Sequence, residues 1–221
     1  MSLRPRSALR SRTRTCSSIA SGVEDTRRWR LKPAVPAVAG AGLFCETMSY
    51  SFGSPVQTAW VTHNLDTTEK ALTGLLGVKK WVRLPDVHFA PDSCSYRGAP
   101  ADFIASISLS YLGDMQLELI EPISGANIYS DFLQDSGPGL HHICVEADTL
   151  ENFDAALVSA AEQGASVPQQ GVMPGGLRFA YLSAPQYGVP FIEIAHFSPE
   201  MRQFFDYIKQ EQHEEQQRHE Y

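Results

Sequence analysis

Long apolar runs and paired cysteines are both missing from this sequence. No stretch approaches the ~18 consecutive apolar residues that a membrane-spanning helix needs, so we predict no membrane partner. The cysteines lack the close spacing of a zinc ribbon or a disulfide framework; they are Cys16, Cys45, Cys94 and Cys144. This usage is typical of a reducing compartment, and we predict a cytoplasmic protein.

Basic residues are scarce after the first 32 positions. Residues 1–32 contain nine of the 18 Lys and Arg residues but only two of the 25 Asp and Glu residues. The remainder of the chain is therefore strongly acidic, whereas a nucleic-acid-binding surface needs positive charge. We predict a small-molecule substrate and no nucleic-acid partner.

Three interpretations of the basic head, residues 1–50, stay open. Its richness in Arg and Ser, with no acid before Glu24, is the composition of a mitochondrial presequence, which would make the protein mitochondrial. The stretch TRRWRLK before PAVPAVAGAGLFC is faintly similar to a twin-arginine export signal, although its apolar part contains two prolines. In the third interpretation, translation starts at Met48 and the preceding residues are an upstream extension. Each interpretation leaves the head outside the fold.

A chain that begins at Met48 should therefore fold as stably as the full-length chain. No segment before Met48 combines helical or strand periodicity with an apolar face, so we expect it to contribute nothing to the core. Thermal unfolding of the two chains tests this. A loss of several degrees on truncation, equivalent to about 1 kcal/mol or more, would show that the head packs on the body.

Two stretches of the body repeat the same order of elements. VQTAWVTHNLDTTEKALTGLLG alternates like a strand and continues as a helix that is capped at Asn64 and stopped at Gly77. GLHHICVEADTLENFDAALVSAAEQG repeats this pattern, with a cap at Asp148 and a stop at Gly164. Three further strands follow each helix, so each half is a βαβββ module and the predicted fold class is α+β. The predicted ranges are 55–122 for the first module, 123–138 for a connector, 139–198 for the second module, 199–212 for a C-terminal helix and 213–221 for a polar tail.

Strand alternation assigns side chains to the two faces of the sheet. In LELIE and FIEIA it turns Glu118 and Glu193 away from the helices, and in HHICVEA it turns His142 the same way. His141 falls on the helix-covered side, so His142 is the candidate functional residue and His141 a structural neighbour. In DFIASISLSY, Asp102 is predicted to share the open face with the two glutamates. The residues predicted to face the helices in that strand are Phe103, Ala105, Ile107 and Leu109.

Matching the two modules element by element brings four metal-binding side chains together. Gln57 becomes the counterpart of His142 near the start of each first strand, and Glu118 becomes the counterpart of Glu193 within each last strand. One imidazole nitrogen and three oxygen donors suit a divalent cation with open coordination positions. We predict one such ion, Zn, Co, Ni, Mn or Mg, bound by these four residues; the alternative is that the acids simply face solvent.

These motifs resemble the vicinal oxygen chelate superfamily, which includes glyoxalases, bleomycin-resistance proteins and dioxygenases, over roughly residues 55–198. The stretch LELIEPISGANIYSDFLQDSGPGLHHICVEAD is similar to the ligand strand, short helix and GLHHI strand of methylmalonyl-CoA epimerases. The resemblance implies a mixed sheet curled around a metal-binding cleft, with ligands at the four positions named above. It also implies an isomerase or epimerase that moves a proton next to a carbonyl group held by the metal. Because many relatives pair modules between chains, a homodimer is an open alternative.

The chain departs from both groups of relatives that it resembles. Epimerases usually have His where this chain has Gln57, and the set Gln, Glu, His, Glu is that of zinc-type glyoxalase I. Glyoxalase I, however, binds glutathione through arginines at the positions that match Val61 and Pro138 in this chain. A glyoxalase-type lyase therefore remains an alternative, as does a metal-free binding protein of the resistance type.

The resemblance also suggests which residues handle the substrate. Proton transfer on both faces of a carbon needs two bases. Glu193 is one candidate, and Asp102 is the other because the epimerases carry a glutamate at about that place; its alternative role is structural, at the start of a strand. Arg178 and Tyr181 in LRFAYLS are candidate substrate contacts, or else edge residues of the sheet.

Overall fold

The computed structural model of the chain describes residues 53–219, so the head, residues 1–50, lies outside the described residues. The strands are β1 (Pro55–Val61), β2 (Val82–Phe89), β3 (Cys94–Tyr96), β4 (Ala99–Pro100), β5 (Phe103–Leu112), β6 (Met115–Ser124), β7 (Gly139–Glu146), β8 (Gln169–Met173), β9 (Leu177–Ser183) and β10 (Phe191–His196). The helices are α1 (Leu65–Leu76), α2 (Ile128–Ser136), α3 (Leu150–Glu162) and α4 (Pro199–His219), with a short 3-10 turn at Pro185–Tyr187. None of the described helices is both long enough and apolar enough to cross a bilayer.

The two modules lie side by side in one mixed sheet. Its strand order is β2-β5-β6-β1-β7-β10-β9-β8-β3-β4. The first strands of the two modules, β1 and β7, pair antiparallel at the centre, and each pairs in parallel with the last strand of its own module, β6 or β10. The predicted α+β class, with paired modules in a curled mixed sheet, is confirmed.

A hairpin that the sequence analysis did not predict joins the two ends of this sheet. Strand β2 lies at one edge, yet β3 follows it after a four-residue turn and pairs with β8 of the other module. The ring of Phe89 stacks on Phe103 with centroids 4.4 Å apart and meets Phe179 edge-on at 5.9 Å. Because these rings come from both ends of the sheet, the sheet curls around an apolar interior.

The prediction that the apolar residues of β5 lie on the face opposite Glu118 was wrong. In its antiparallel pairing with β6, Leu109 lies opposite Glu118, and residues directly opposite share a face. The apolar residues of β5 therefore line the concave face with Glu118. Ser108 points to the other side, where its hydroxyl donates to Glu69 of α1 at 2.6 Å. Alternation could not tell the two sides of this strand apart, because the concave face that carries Glu118 is apolar too and is itself covered by a helix.

The last helix is longer than predicted. It continues to His219 rather than ending at residue 212, so most of the predicted polar tail is helical. One apolar side of this helix is buried: Met201, Phe205 and Ile208 belong to the same core as the concave-face residues of β5. Helix α4 therefore packs on the concave side of the sheet.

Candidate metal centre

Three buried side chains with metal-binding atoms converge on the concave face. They are Glu118 of β6, His142 of β7 and Glu193 of β10, and their ligand atoms all lie within 4.8 Å of one another. His142 Nε2 is 3.0 Å from Glu193 Oε2 and 3.4 Å from Glu118 Oε2. Two ligands bound to one ion at about 2.0–2.2 Å are themselves roughly 3–4 Å apart. The spacing of the three atoms thus fits a shared metal ion.

The polar atoms of this triad are poorly satisfied by the protein alone. His142 Nε2 is fully buried and has no properly oriented hydrogen-bond partner, although both carboxylates are near it. Burial raises the pKa of Glu118, His142 opposes that rise, and the charge of Glu193 adds to it. A divalent cation among the three side chains would satisfy the ring nitrogen and neutralise both carboxylates, so the donor set fits a metal.

The two adjacent histidines occupy the same side of the sheet because β7 contains a bulge. Ala59 of β1 pairs with His142, but the next residue, Trp60, pairs with Leu140, so His141 is an extra residue in the ladder. The prediction that His141 lies on the helix-covered side was therefore wrong. A bulge breaks the two-residue period on which the assignment of faces depended.

In this arrangement His141 can orient the ring of His142. The two Nδ1 atoms are 2.9 Å apart, and both rings are completely buried. A histidine that binds a metal through one nitrogen usually hydrogen-bonds through the other, which fixes its orientation. The contact between the Nδ1 atoms leaves His142 Nε2 directed at the carboxylates. The ring of His141 is itself held by aromatic neighbours, Tyr129, Phe132, Tyr181 and Phe191.

Gln57 lies in β1 beside the triad, as the module repeat predicts. It lines the same cavity as Glu118 and Glu193. Its Nε2 donates to Gln116 Oε1 at 2.7 Å, and Gln116 Nε2 in turn donates to the Tyr111 hydroxyl at 3.0 Å. Because this buried chain occupies the amide nitrogen, the Oε1 of Gln57 is the atom available as a fourth ligand.

The cavity at the triad is small and mostly apolar. Its volume is about 30 Å³, which is room for about one water molecule. Apart from Gln57 and the two glutamates, its polar lining consists of Tyr129 and Tyr181, whose hydroxyl oxygens are 2.8 Å apart. No Lys or Arg from the described part of the chain lines it. The centre therefore has room for an ion, in surroundings that exclude bulk water.

Comparison with known proteins identifies the family. The sequence model described as the Glyoxalase/Bleomycin resistance protein/Dioxygenase superfamily matches residues 56–181, more than half of the chain. The chain belongs to this superfamily. The match includes Gln57, Glu118 and His142 and ends before Glu193. No curated protein matches the chain in sequence.

Solved structures of similar fold include two methylmalonyl-CoA epimerases. The enzyme from Mycobacterium tuberculosis is 16% identical, with 67% of this chain and 90% of that chain covered and a TM-score of 0.47. A Streptomyces coelicolor enzyme in complex with 2-nitronate-propionyl-CoA is 18% identical, with 68% and 99% covered and a TM-score of 0.45. A hypothetical protein from Bacillus halodurans C-125 is 19% identical, with 66% and 94% covered and a TM-score of 0.45.

Asp102 does not lie in the cleft of this superfamily member. It immediately precedes β5, its side chain is 69% exposed, and Oδ1 lies 2.7 Å from Nε2 of the exposed His88. The prediction failed for the same reason as the rest of β5: the alternating side chains of this strand were assigned to the wrong sides of the sheet. Asp102 does not line the cavity at the triad, so it is not placed to act as a second base on a ligand bound there.

The two residues predicted as substrate contacts lie on opposite sides of the sheet. Tyr181 pairs with Glu193 across β9 and β10 and lines the cavity. Arg178 is an odd number of residues away and therefore points to the other face, where it forms an ion pair with Asp154 at 2.9 Å and covers the ring of Phe153. Arg178 holds α3 against the sheet instead of facing the cavity.

Sequence reasoning did not identify several residues that complete the cavity. Tyr129 comes from α2, which was treated as a connector, and Met201 and Phe205 come from α4. The apolar stripe of α4 was visible in the sequence, but its pattern carries no information about which surface it covers.

Proposed function

We propose that this chain is a metal-dependent isomerase or epimerase that moves a proton at a carbon next to a carbonyl group. The substrate class is an acid, a thioester or a hydroxycarbonyl compound. One observation carries the proposal: a buried imidazole and two buried carboxylates meet, with a glutamine amide beside them, in an apolar cavity. When bound by Gln57, Glu118, His142 and Glu193, a divalent ion would stabilise negative charge developing on a substrate oxygen.

The two glutamates are the candidate bases, and Glu118 takes the role that was predicted for Asp102. They are the acids that line the cavity among the described residues. They come from β6 and β10, which flank the central pair β1 and β7, so they approach the cavity from opposite sides. Burial raises the pKa of Glu118 in the metal-free chain. Inversion of a carbon needs one base on each face, and this pair fits that need.

Tyr129 and Tyr181 are placed to hold a substrate oxygen. Burial raises the pKa of both hydroxyls well above the usual value, so both stay protonated. One hydroxyl donates to the other, which leaves one hydrogen free to donate to a ligand. The surrounding aromatic and methionine side chains exclude water and so strengthen these interactions.

A glyoxalase-type lyase is the second candidate, favoured by the identical ligand types. The positions at which glyoxalase I has its glutathione-binding arginines are Val61, which is completely buried at the end of β1, and Pro138, just before β7. The carboxylates of glutathione would therefore find no cation at these positions, and none lines the cavity. A carboxylate bound without its charged partner loses about 1.5–3 kcal/mol.

Deuterium exchange tests the proposal directly. Metal-loaded protein is incubated in deuterated water with a panel of 2-methyl thioesters, 2-hydroxy thioesters and hydroxycarbonyl compounds, and the methylglyoxal–glutathione adduct is included. We expect exchange next to the carbonyl in at least one of the first three classes, and its loss when a chelator removes the metal. The glutathione adduct should be a poor substrate, because its carboxylates lack partners.

The other outcomes each favour a different function. Efficient turnover of the glutathione adduct would favour the lyase. If no member of the panel exchanges in metal-loaded protein, a binding protein of the resistance type explains the cavity better than an enzyme does.

A further inference from the structure

Helix α4 lies over the candidate metal centre. Phe197, two residues before the start of α4, and Met201 and Phe205 of the helix line the same small cavity as Gln57, Glu118 and Glu193. Met201 and Phe205 are each 7% exposed, and the rings of Phe197 and Phe205 meet edge-on with centroids 5.1 Å apart. We call these three side chains the roof of the cavity; two of them belong to α4, and most of the remaining lining comes from the strands.

The helix spans the cleft from one module to the other. At its beginning, Ser198 Oγ donates to the carbonyl of Gly175 in the second module at 2.6 Å, and Arg202 forms an ion pair with Glu146 at 2.5 Å. Toward its end, Lys209 forms an ion pair with Asp114 of the first module at 2.6 Å. Gln212 Oε1 accepts a hydrogen bond from the backbone of Lys80, also in the first module, at 2.8 Å. The position of α4 over the centre is therefore fixed at both ends.

The roof leaves very little room beside a metal ion. The volume of about 30 Å³ is far below the roughly 300–1,000 Å³ of typical ligand pockets. A group that a substrate carries into this cavity beside its chelating oxygens meets Met201 and Phe205, together with the apolar side chains of the sheet. The lining is aromatic, aliphatic or thioether in this region and contains no described Lys or Arg. A charged group placed there would lose its hydration without gaining a partner.

We propose that Met201 and Phe205 are the specificity-determining residues of the site and restrict it to substrates with a small apolar group beside the chelating oxygens. This inference rests on the proposed metal-dependent function and adds the class of substituent that the site accepts. Shortening either side chain enlarges the cavity, which then admits larger apolar groups. Residues on the solvent side of α4 have no such effect.

Two hydroxamates of different size test the inference without requiring turnover. Acetohydroxamate and benzohydroxamate present the same pair of chelating oxygens but carry a methyl group or a phenyl ring. Their affinities are measured from the visible absorption of the Co²⁺-loaded full-length protein. We expect the native protein to bind acetohydroxamate at least ten-fold tighter than benzohydroxamate. Phe205→Ala and Met201→Ala should each reduce this preference about ten-fold or reverse it.

Tyr207→Ala is the matched control, because Tyr207 lies on the same helix but is 53% exposed. It should keep the native preference. Phe205→Leu replaces the ring by a smaller apolar side chain and so enlarges the cavity less than alanine does. It provides the comparison if an alanine variant fails to fold. The inference is overturned if the variants of Phe205 and Met201 bind Co²⁺ and show the native preference between the two hydroxamates. If the native protein takes up no Co²⁺, the proposed function fails first, and this inference fails with it.

Discussion

Replacing both His142 and Glu118 by alanine should reduce the metal content from about one divalent ion per chain to nearly none. The double variant removes the imidazole nitrogen and one of the two carboxylates that lie within 3.4 Å of each other. A site that has lost two of four ligands binds its ion at least roughly a thousand-fold more weakly. Elemental analysis of protein purified without chelator measures the content, and competition with a chromophoric chelator measures the affinity.

A matched control for this variant lies on the outer surface of the same sheet. His88 and Asp102 also pair an imidazole with a carboxylate, at 2.7 Å, but both side chains are exposed. The double variant His88→Ala, Asp102→Ala should keep the native metal content. Unchanged stoichiometry in the His142, Glu118 variant would refute the predicted site, and loss of metal in the control would mean that the outer pair, not the triad, holds the ion.

Metal affinity should also rise with pH. Burial lowers the pKa of His142, but Glu118 and Glu193 outweigh that effect and raise it to about 9 in the metal-free chain. At neutral pH the ring is therefore protonated, and an ion must displace a proton to bind Nε2. The affinity should increase up to about ten-fold per pH unit and level off near pH 9. Calorimetric titration in buffers of different ionisation enthalpy should show about one proton released per ion.

The residues of the triad could be predicted because repetition and alternation act together there. Glu118 and Glu193 occupy the same place in two modules, and strands β6 and β10 are regular around them, so one two-residue period fixes both side chains. His142 was found for the same reason. The orienting role of His141 could not be found, because a bulge depends on how two strands pair and leaves no mark in the sequence of one of them.

The errors at the rim of the site have a different physical origin. Asp102 was assigned to the cleft because the apolar face of β5 was taken to lie opposite the glutamates, whereas the concave face that carries them is apolar too. The hairpin Cys94–Pro100 was missed because strands of three and two residues are too short to show alternation. The place of α4 depends on long-range packing. Local sequence patterns therefore predicted the metal-binding residues, whereas the residues that surround them depend on tertiary contacts.

Glu193→Gln and Glu118→Gln should each keep the metal but lose epimerisation. An amide oxygen can still bind an ion, as proposed for Gln57, whereas it cannot accept a proton from carbon. Removing a general base usually slows proton transfer by about 10²–10⁴-fold. Both variants should be assayed at a metal concentration that saturates the site, so that weaker binding does not contribute. Their metal content under these conditions confirms that the comparison concerns proton transfer alone.

The two glutamine variants should differ from the native protein in a way that reveals the two-base arrangement. With a substrate of defined configuration in deuterated water, inversion needs both carboxylates, whereas exchange without inversion needs only the one that faces the departing proton. Each variant should therefore retain exchange with one enantiomer and lose it with the other, and the two variants should retain opposite enantiomers. Asp102→Asn is the control and should invert the substrate at the native rate, because Asp102 lies on the outer face beside His88. If Asp102→Asn blocks inversion while Glu118→Gln does not, the second base is Asp102, and the cleft must rearrange around it during the reaction.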